Sequence, residues 1–322
     1  LLQLNKSHKL LVVEMGMRGL GEIKTLTDFI HPDLAVITNI GEAHLGLLGS
    51  KENIFKAKSE LLQSLDKDGI AILNRDDPYF SKMSGVVKGK KVYTFGIENK
   101  SDVLASHVRM VSDKGMKFLF EVQNGKSREI FFPLLGRYNV YNALAASATA
   151  LALGTGLDLI ERGLSSFKPL DLHMQLNNFN KGITILNDSY NASPLSVKNA
   201  LETFTQAAQK HRKIAILGDM LELGEKADFY HWEIGKEVVK LSIDILITVG
   251  KKGKIIAQSS QKEGIAKEKI FSFEKNEKLS LVKKLLSLTK SGDFILLKGS
   301  REMKMEEILE LWQKEYQKNS PA

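Results

Sequence analysis

Short apolar runs alternate with helix-length amphipathic stretches through most of the 322 residues, and this pattern restricts the fold more than any other feature. Residues 10–13, 34–37, 70–73 and 92–95 form four such runs, each bounded by Gly, Asn or Asp, and they read as strands. Strands separated by helices predict a mostly parallel sheet covered on both faces, because parallel neighbours need a crossover. Between 103 and 132 the texture changes. Runs at 103–110, 116–122 and 128–132 are close-set and joined by Asp113-Lys114-Gly115 and Asn124-Gly125, which are hairpin signals and predict an antiparallel patch. An Ala-rich helix follows at 140–153, stopped by Gly154 and Gly156. A second alternating series begins near residue 180, with strands expected at 183–186, 213–217, 243–249 and 294–297. The boundary is expected within 168–180, where Pro169 and Asn177-Asn178 break both periodicities. The expectation is two α/β domains, residues 1–176 and 177–322.

Composition removes several function classes. There is no cysteine, which excludes disulfides, a thiolate nucleophile and cysteine-bound zinc, and which fits a reducing cytoplasm. No apolar run approaches the roughly 20 residues needed to cross a bilayer, so no membrane insertion is expected. No signal peptide opens the chain, and Leu1-Leu2-Gln3-Leu4-Asn5, without an initiator Met, reads as a cut made inside a domain. The net charge of +8 is spread along the chain with no basic stripe interleaved with aromatics. That pattern suits a solvated surface or phosphate-rich small molecules, and no nucleic-acid partner is expected.

In open parallel sheets, ligands collect beyond the carboxyl ends of the strands. The run at 10–13 ends in Glu14; the next leads to Asn39, with Glu42 and His44 just after it, and a helix then carries Lys56, Lys58 and Glu60. A carboxylate and an imidazole at one crevice edge could hold a divalent cation on substrate phosphate. Mg²⁺ would suit, since it prefers oxygen and keeps several waters. Structural roles suit the same residues: Glu14 as a turn or helix-start charge, His44 as a hydrogen-bonded histidine, Lys58 as a solvated lysine. Gly16, Gly19 and Gly21 do not follow the Gly-x-Gly-x-x-Gly spacing and no acidic residue ends the second strand, so a dehydrogenase is rejected.

From Leu11 to about Glu310 the chain resembles the central and C-terminal domains of the Mur ligases. The segments that carry the likeness are Glu14-Met-Gly-Met-Arg-Gly-Leu-Gly-Glu-Ile, Thr38-Asn-Ile-Gly-Glu-Ala-His-Leu with Lys56-Ala-Lys-Ser-Glu, Gly136-Arg-Tyr-Asn-Val-Tyr-Asn-Ala, Asn187-Asp-Ser-Tyr-Asn-Ala-Ser-Pro, and Gly218-Asp-Met-Leu-Glu-Leu-Gly with Lys298-Gly-Ser-Arg-Glu-Met-Lys. The later segments point to the branch of the family that adds D-alanyl-D-alanine. The resemblance implies an ATPase-type central domain and a Rossmann-like C-terminal domain. It also implies a cytoplasmic, monomeric enzyme of peptidoglycan synthesis, in which ATP phosphorylates the terminal carboxylate of UDP-N-acetylmuramoyl-tripeptide and the amine of D-Ala-D-Ala attacks the acyl phosphate. Carried over by residue, Glu14 and His44 would be Mg²⁺ ligands, and Lys58 a carbamylated lysine able to ligate metal. Asn139 and Asn142 would reach adenine. Asp188 would hold the ATP ribose or phosphate, and Tyr190 and Asn191 would line the cleft. Lys298, Ser300 and Arg301 would lie near the incoming dipeptide. On spacing alone, Asn139 and Asn142 equally suit helix-start caps, and residues 188–191 a strand-ending turn.

The chain departs from the family pattern in two places. No Gly-x-x-x-x-Gly-Lys-[Ser/Thr] occurs; in the family that loop precedes the Glu14 strand, so this chain is expected to be an N-terminally truncated piece with little ligase activity alone. His173 also stands where relatives usually carry Arg against nucleotide phosphate, and an imidazole cannot form the guanidinium fork. Two alternatives are a folylpolyglutamate synthase-like ligase and a non-catalytic nucleotide-binding remnant. Asp188-Ser-Tyr-Asn-Ala tells against the first, where Asp-x-Ala-His-Asn is expected, and retention of Glu14, His44, Lys58 and Asp188 tells against the second.

Overall fold

The computed structural model describes residues 4–123, 125–168 and 171–319. Leu1 to Gln3, Asn124 of the second expected hairpin turn and Pro169 of the expected boundary lie outside them. The first half runs α1 (Glu22–Ile30), β1 (Leu34–Ile37), α2 (Leu45–Leu48), α3 (Lys51–Gln63), β2 (Ile70–Asn74), α4 (Phe80–Val86) and β3 (Lys91–Gly96). It continues through β4 (Val103–Val111), β5 (Gly115–Val122), β6 (Ser127–Phe132), α5 (Arg137–Ala152) and α6 (Leu157–Ser165). Its six strands lie in sequence order; β1 to β4 pair in parallel and β4, β5 and β6 are antiparallel.

The second half comprises β7 (Gln175–Asn178), β8 (Thr184–Asn187), α7 (Pro194–Ala208), β9 (Lys213–Gly218), α8 (Ala227–Lys240) and β10 (Ile245–Val249). After these come α9 (Gly253–Lys262), β11 (Ile270–Phe273), α10 (Lys278–Leu288), β12 (Phe294–Lys298) and α11 (Glu306–Asn319). The strand order is β11-β10-β9-β12-β8-β7, parallel throughout except for the edge strand β7. The chain is thus α/β with two sheets, as expected.

Period-two alternation explains why each sheet is covered twice. In the first, Ala35, Ile37, Ala71 and Leu73 face α3 and α4, while Ile72 and Phe95 face α5. In the second, Leu186, Ala215, Leu217, Leu246 and Leu296 pack with α7 and α8, while Ile185, Ile214, Ile216, Ile247 and Ile295 pack with α10 and α11. Among the described residues no helix is long and apolar enough to cross a membrane.

One expected strand is corrected. Residues 10–13 carry no regular structure, and Leu10 and Val12 are 60% and 84% exposed. An apolar run becomes a strand only where its N–H and C=O groups find a ladder, and β1, the nearest edge, pairs only with β2 among the described strands. Two strands escape the apolar signal. β7 reads Gln-Leu-Asn-Asn, too polar to register, and lies inside the segment read as a boundary; β11 is a four-residue edge.

Trp312 anchors α11. It is fully buried, with its ring 4.6 Å from that of Phe179 and stacked at 4.5 Å on Tyr316. Its indole N–H has no partner. Trp312→Ala is expected to cost about 3–5 kcal/mol in urea denaturation followed by circular dichroism. Trp312→Phe should cost distinctly less, because it loses no hydrogen bond.

Candidate functional site

The loop after β1 is held by its neighbour strand. Asn74 Nδ2 donates to Thr38 O at 3.0 Å, and Asp77 Oδ2 accepts from Ile40 N at 2.8 Å. Helix α3, capped by Ser50, carries Lys58 under this loop, where Nζ donates to Asn39 O at 2.7 Å. Burial lowers the Lys58 pKa, partly offset by the Asp77 carboxylate. Two residues on, Glu60 accepts from Gly21 N and Lys24 N at 2.7 and 2.9 Å. It thereby caps α1 and fixes the end of the segment that begins at Glu14. His44 is the left-handed residue (φ 61°) that opens α2.

Helix α5 forms the next wall. Gly136 (φ 96°) starts it where an added Cβ would lie 2.7 Å from Thr203 Oγ1 on α7, so the two halves approach closely there. Asn139 is buried; its Nδ2 donates to Leu135 O at 2.7 Å and its Oδ1 accepts from Asn142 Nδ2 at 3.1 Å. Asn142 faces the cleft and Asn139 supports it from behind. Tyr141 donates its hydroxyl to Asp76 Oδ2 at 2.9 Å. Burial pushes the Asp76 carboxyl up, but bonds from the Ile97 and Glu98 N–H groups, the Asn99 side chain and Tyr141 outweigh it and hold the group below its usual range. Burial and the same carboxylate raise the Tyr141 phenol.

In the second half, Asp188 follows β8 and Lys298 ends β12, and these strands pair directly. Lys298 Nζ lies 2.5 Å from Asp188 Oδ2 and donates to Asn191 O at 2.9 Å, with both charged side chains buried. Asp188 Oδ1 also accepts from Met174 N at 3.2 Å. Leu172 (φ 64°) and Met174 (φ 48°) are both left-handed, a conformation costing about 1–3 kcal/mol each for side chains of this kind. Between them His173 meets the Tyr190 ring, centroids 4.4 Å apart. Ser300 Oγ accepts from Leu221 N at 2.8 Å and donates to Ala192 O at 3.3 Å, while Arg301 pairs with Glu306 at 2.6 Å.

A cleft of about 740 Å³ opens between the two sheets. It brings together Glu14, His44, Lys58, Asn142, His173, Asp188, Tyr190, Asn191 and Lys298; Asn139, Ser300 and Arg301 do not line it. It also holds Asn74, Asp76, Asp77, Arg137 and Tyr141, and from α7 Asn199 and Glu202, none of which the sequence marked as a site residue. For Asp76 and Asp77 a signal existed, two acids directly beyond β2. Among the described residues no group of three or more His, Cys, Asp or Glu could hold a metal ion. The described residues thus form no dedicated cage. The exposed Glu14 carboxylate and His44 imidazole fit a Mg²⁺ that brings phosphate oxygens and water with it.

Fold and cleft define an α/β protein whose two mostly parallel sheets face a shared polar cleft at their carboxyl ends. The Mur ligase middle domain profile matches residues 1–150, and the Mur ligase, glutamate ligase domain profile matches 174–301. The UDP-N-acetylmuramoyl-tripeptide–D-alanyl-D-alanine ligase of Bacillus subtilis is 36% identical over 96% of this chain and 65% of its own length. Its Escherichia coli counterpart is 31% identical over 96% of this chain and 66% of its own. A MurF crystal structure from Acinetobacter baumannii superposes with TM-score 0.86 at 30% identity, covering 97% of this chain and 66% of that one. A Thermotoga maritima MurF in complex with ADP gives 0.82 at 26%, covering 95% and 67%. The chain belongs to the Mur ligase family. It spans slightly less than two thirds of the Bacillus subtilis relative.

Breaking the Asp188–Lys298 pair from one side should leave a buried charge, so Lys298→Ala is expected to cost about 3–5 kcal/mol in chemical denaturation. In the double variant with Asp188→Ala the loss should be well below the sum of the single losses.

Proposed function

We propose that the protein works as an ATP-dependent ligase joining D-Ala-D-Ala to UDP-N-acetylmuramoyl-tripeptide in peptidoglycan precursor synthesis, as a monomer in the cytoplasm. The observation that carries this reading is the cleft shared by both sheets, lined by amides, carboxylates and a buried lysine, in a chain whose relatives bear that ligase name. ATP phosphorylates the terminal carboxylate of the tripeptide and leaves as ADP; the dipeptide amine then attacks the acyl carbon and phosphate departs. Such chemistry asks the protein chiefly for alignment and charge neutralisation.

Glu14 and His44 are the residues that would hold Mg²⁺, whose part is to neutralise phosphoryl charge. Asn142, steadied by Asn139, presents an amide suited to the donor and acceptor edge of adenine. Asp188, Tyr190 and Asn191 belong to the nucleotide side, with His173 stacked beside them. Lys298 holds that turn in shape, and Ser300 and Arg301 border the end where the dipeptide enters. Lys58 is the residue assigned to carbamylation. Addition of CO₂ to its amine would put a carboxylate on a long arm, while one N–H remains for Asn39 O.

At the full length of its relatives, and supplied with both substrates, ATP and Mg²⁺, the protein should release phosphate only when tripeptide and dipeptide are both present. Lys58→Ala should lower kcat/KM by about 100-fold or more. Nucleotide binding with no product under any condition would overturn the ligase reading in favour of a binding protein.

Lys58 also carries a pH prediction. CO₂ adds only to the neutral amine, and burial lowers the Lys58 pKa, so more of this amine is neutral at a given pH than of a surface lysine. With ¹³C-bicarbonate, a carbamate resonance should therefore appear at lower pH than any from exposed lysines, and Lys58→Arg should remove it.

A further inference from the structure

The loop that follows β9 crosses to the first sheet and ends on α2. Glu222, left-handed at φ 60°, accepts Gly46 N through its backbone oxygen at 2.8 Å. Its side chain turns to His44: Oε2 lies 2.6 Å from Nδ1, and Oε1 lies 3.7 Å from Arg18 Nη2. The same loop is tied to β12 through Leu221 N and Ser300 Oγ. Glycine lets it approach, since a Cβ on Gly46 would lie 2.4 Å from Gly224 N. His44 lines the cleft and Glu222 does not.

An ionised carboxylate can only accept, so Nδ1 must be the donor of this bond. In a neutral imidazole the lone pair then sits on Nε2. Free imidazole side chains in water favour the opposite tautomer, so the choice has to be imposed. We propose that Glu222 is a positioning residue that fixes His44 as the Nδ1–H tautomer, so that the first sheet presents a metal-competent Nε2 only when the second sheet's loop is docked upon it. This rests on the reading of His44 as a ligand for a cation carried on phosphate. The carboxylate comes from the other half of the chain, 178 residues away, so ligand orientation is coupled to the closure of the cleft. The Arg18 guanidinium stands on the far side of the carboxylate, beside its second oxygen.

The test reads the tautomer directly, with no metal, nucleotide or turnover. Long-range ¹H–¹⁵N correlation spectra of ¹⁵N-histidine-labelled protein, recorded well above the usual imidazole pKa of about 6.5, distinguish a protonated ring nitrogen from one with a lone pair. His44→Gln identifies the resonance. Wild-type His44 should show Nδ1–H, and Glu222→Ala should shift it to mostly Nε2–H. Gly46→Ala, which keeps the Glu222 side chain but wedges its loop away from His44, should do the same. Nε2–H in the wild type, or unchanged Nδ1–H in either variant, would overturn the proposal. In the full-length enzyme, Glu222→Ala should raise the Mg²⁺ concentration for half-maximal rate by about 10–100-fold, and an unchanged Mg²⁺ requirement also counts against it. A full-length protein with no ligase activity but the expected tautomer shifts would sink the ligase reading and leave the positioning role intact.

Discussion

A parallel sheet buried on both faces has little room for a charged side chain except at the ends of its strands, and the site follows from that constraint. In β10 and β12 every residue is buried, and in β9 all but the first. Lys298 is the last residue of β12 and Asp188 the first after β8, and the pairing of these strands sets the two charges side by side. Removed from water, each needs the other. The first sheet obeys the same rule: Thr38 and Asn39 leave β1 beside Asn74, Asp76 and Asp77 at the end of β2.

Each sheet alone supplies half a cleft. The halves meet where α5 enters close to α7 at Gly136, where the strained turn around His173 leads into β7, and where the β9 loop rests on α2. Function in this architecture is a property of the joint. Asn142 and Lys58 come from one side, Asp188, Tyr190 and Lys298 from the other, and the 740 Å³ between them belongs to neither.

Much of this was legible because the strands are apolar and their ends are not. The run at 34–37 is β1 and the hairpin texture after 103 is β4 to β6; Glu14 and His44 drew notice by their places after the runs at 10–13 and 34–37, Lys58 by its place on the next helix and Asp188 by likeness, and all four line the same cleft. Residues 10–13 failed because hydrophobicity reports a wish to be buried, not the presence of a partner strand. β7 was passed over because an edge strand can be polar. Partners across long separations left no local mark: Tyr141 with Asp76 spans 65 residues and His44 with Glu222 spans 178. Ser300 and Arg301 were placed by likeness, and the bonds that turn them to Leu221 and Glu306 come from the local shape of the β12 exit.

Gly46 and Gly224 touch backbone to backbone across the joint, and an added Cβ on Gly224 would lie 2.8 Å from the Gly46 Cα. Gly224 is also left-handed, at φ 57°. Two positions far apart in the sequence are thereby bound by one steric requirement. A side chain at either position would have to push the halves apart. The exposed helix faces can change without touching this contact, whereas the closeness of the two halves is set by the absence of two side chains.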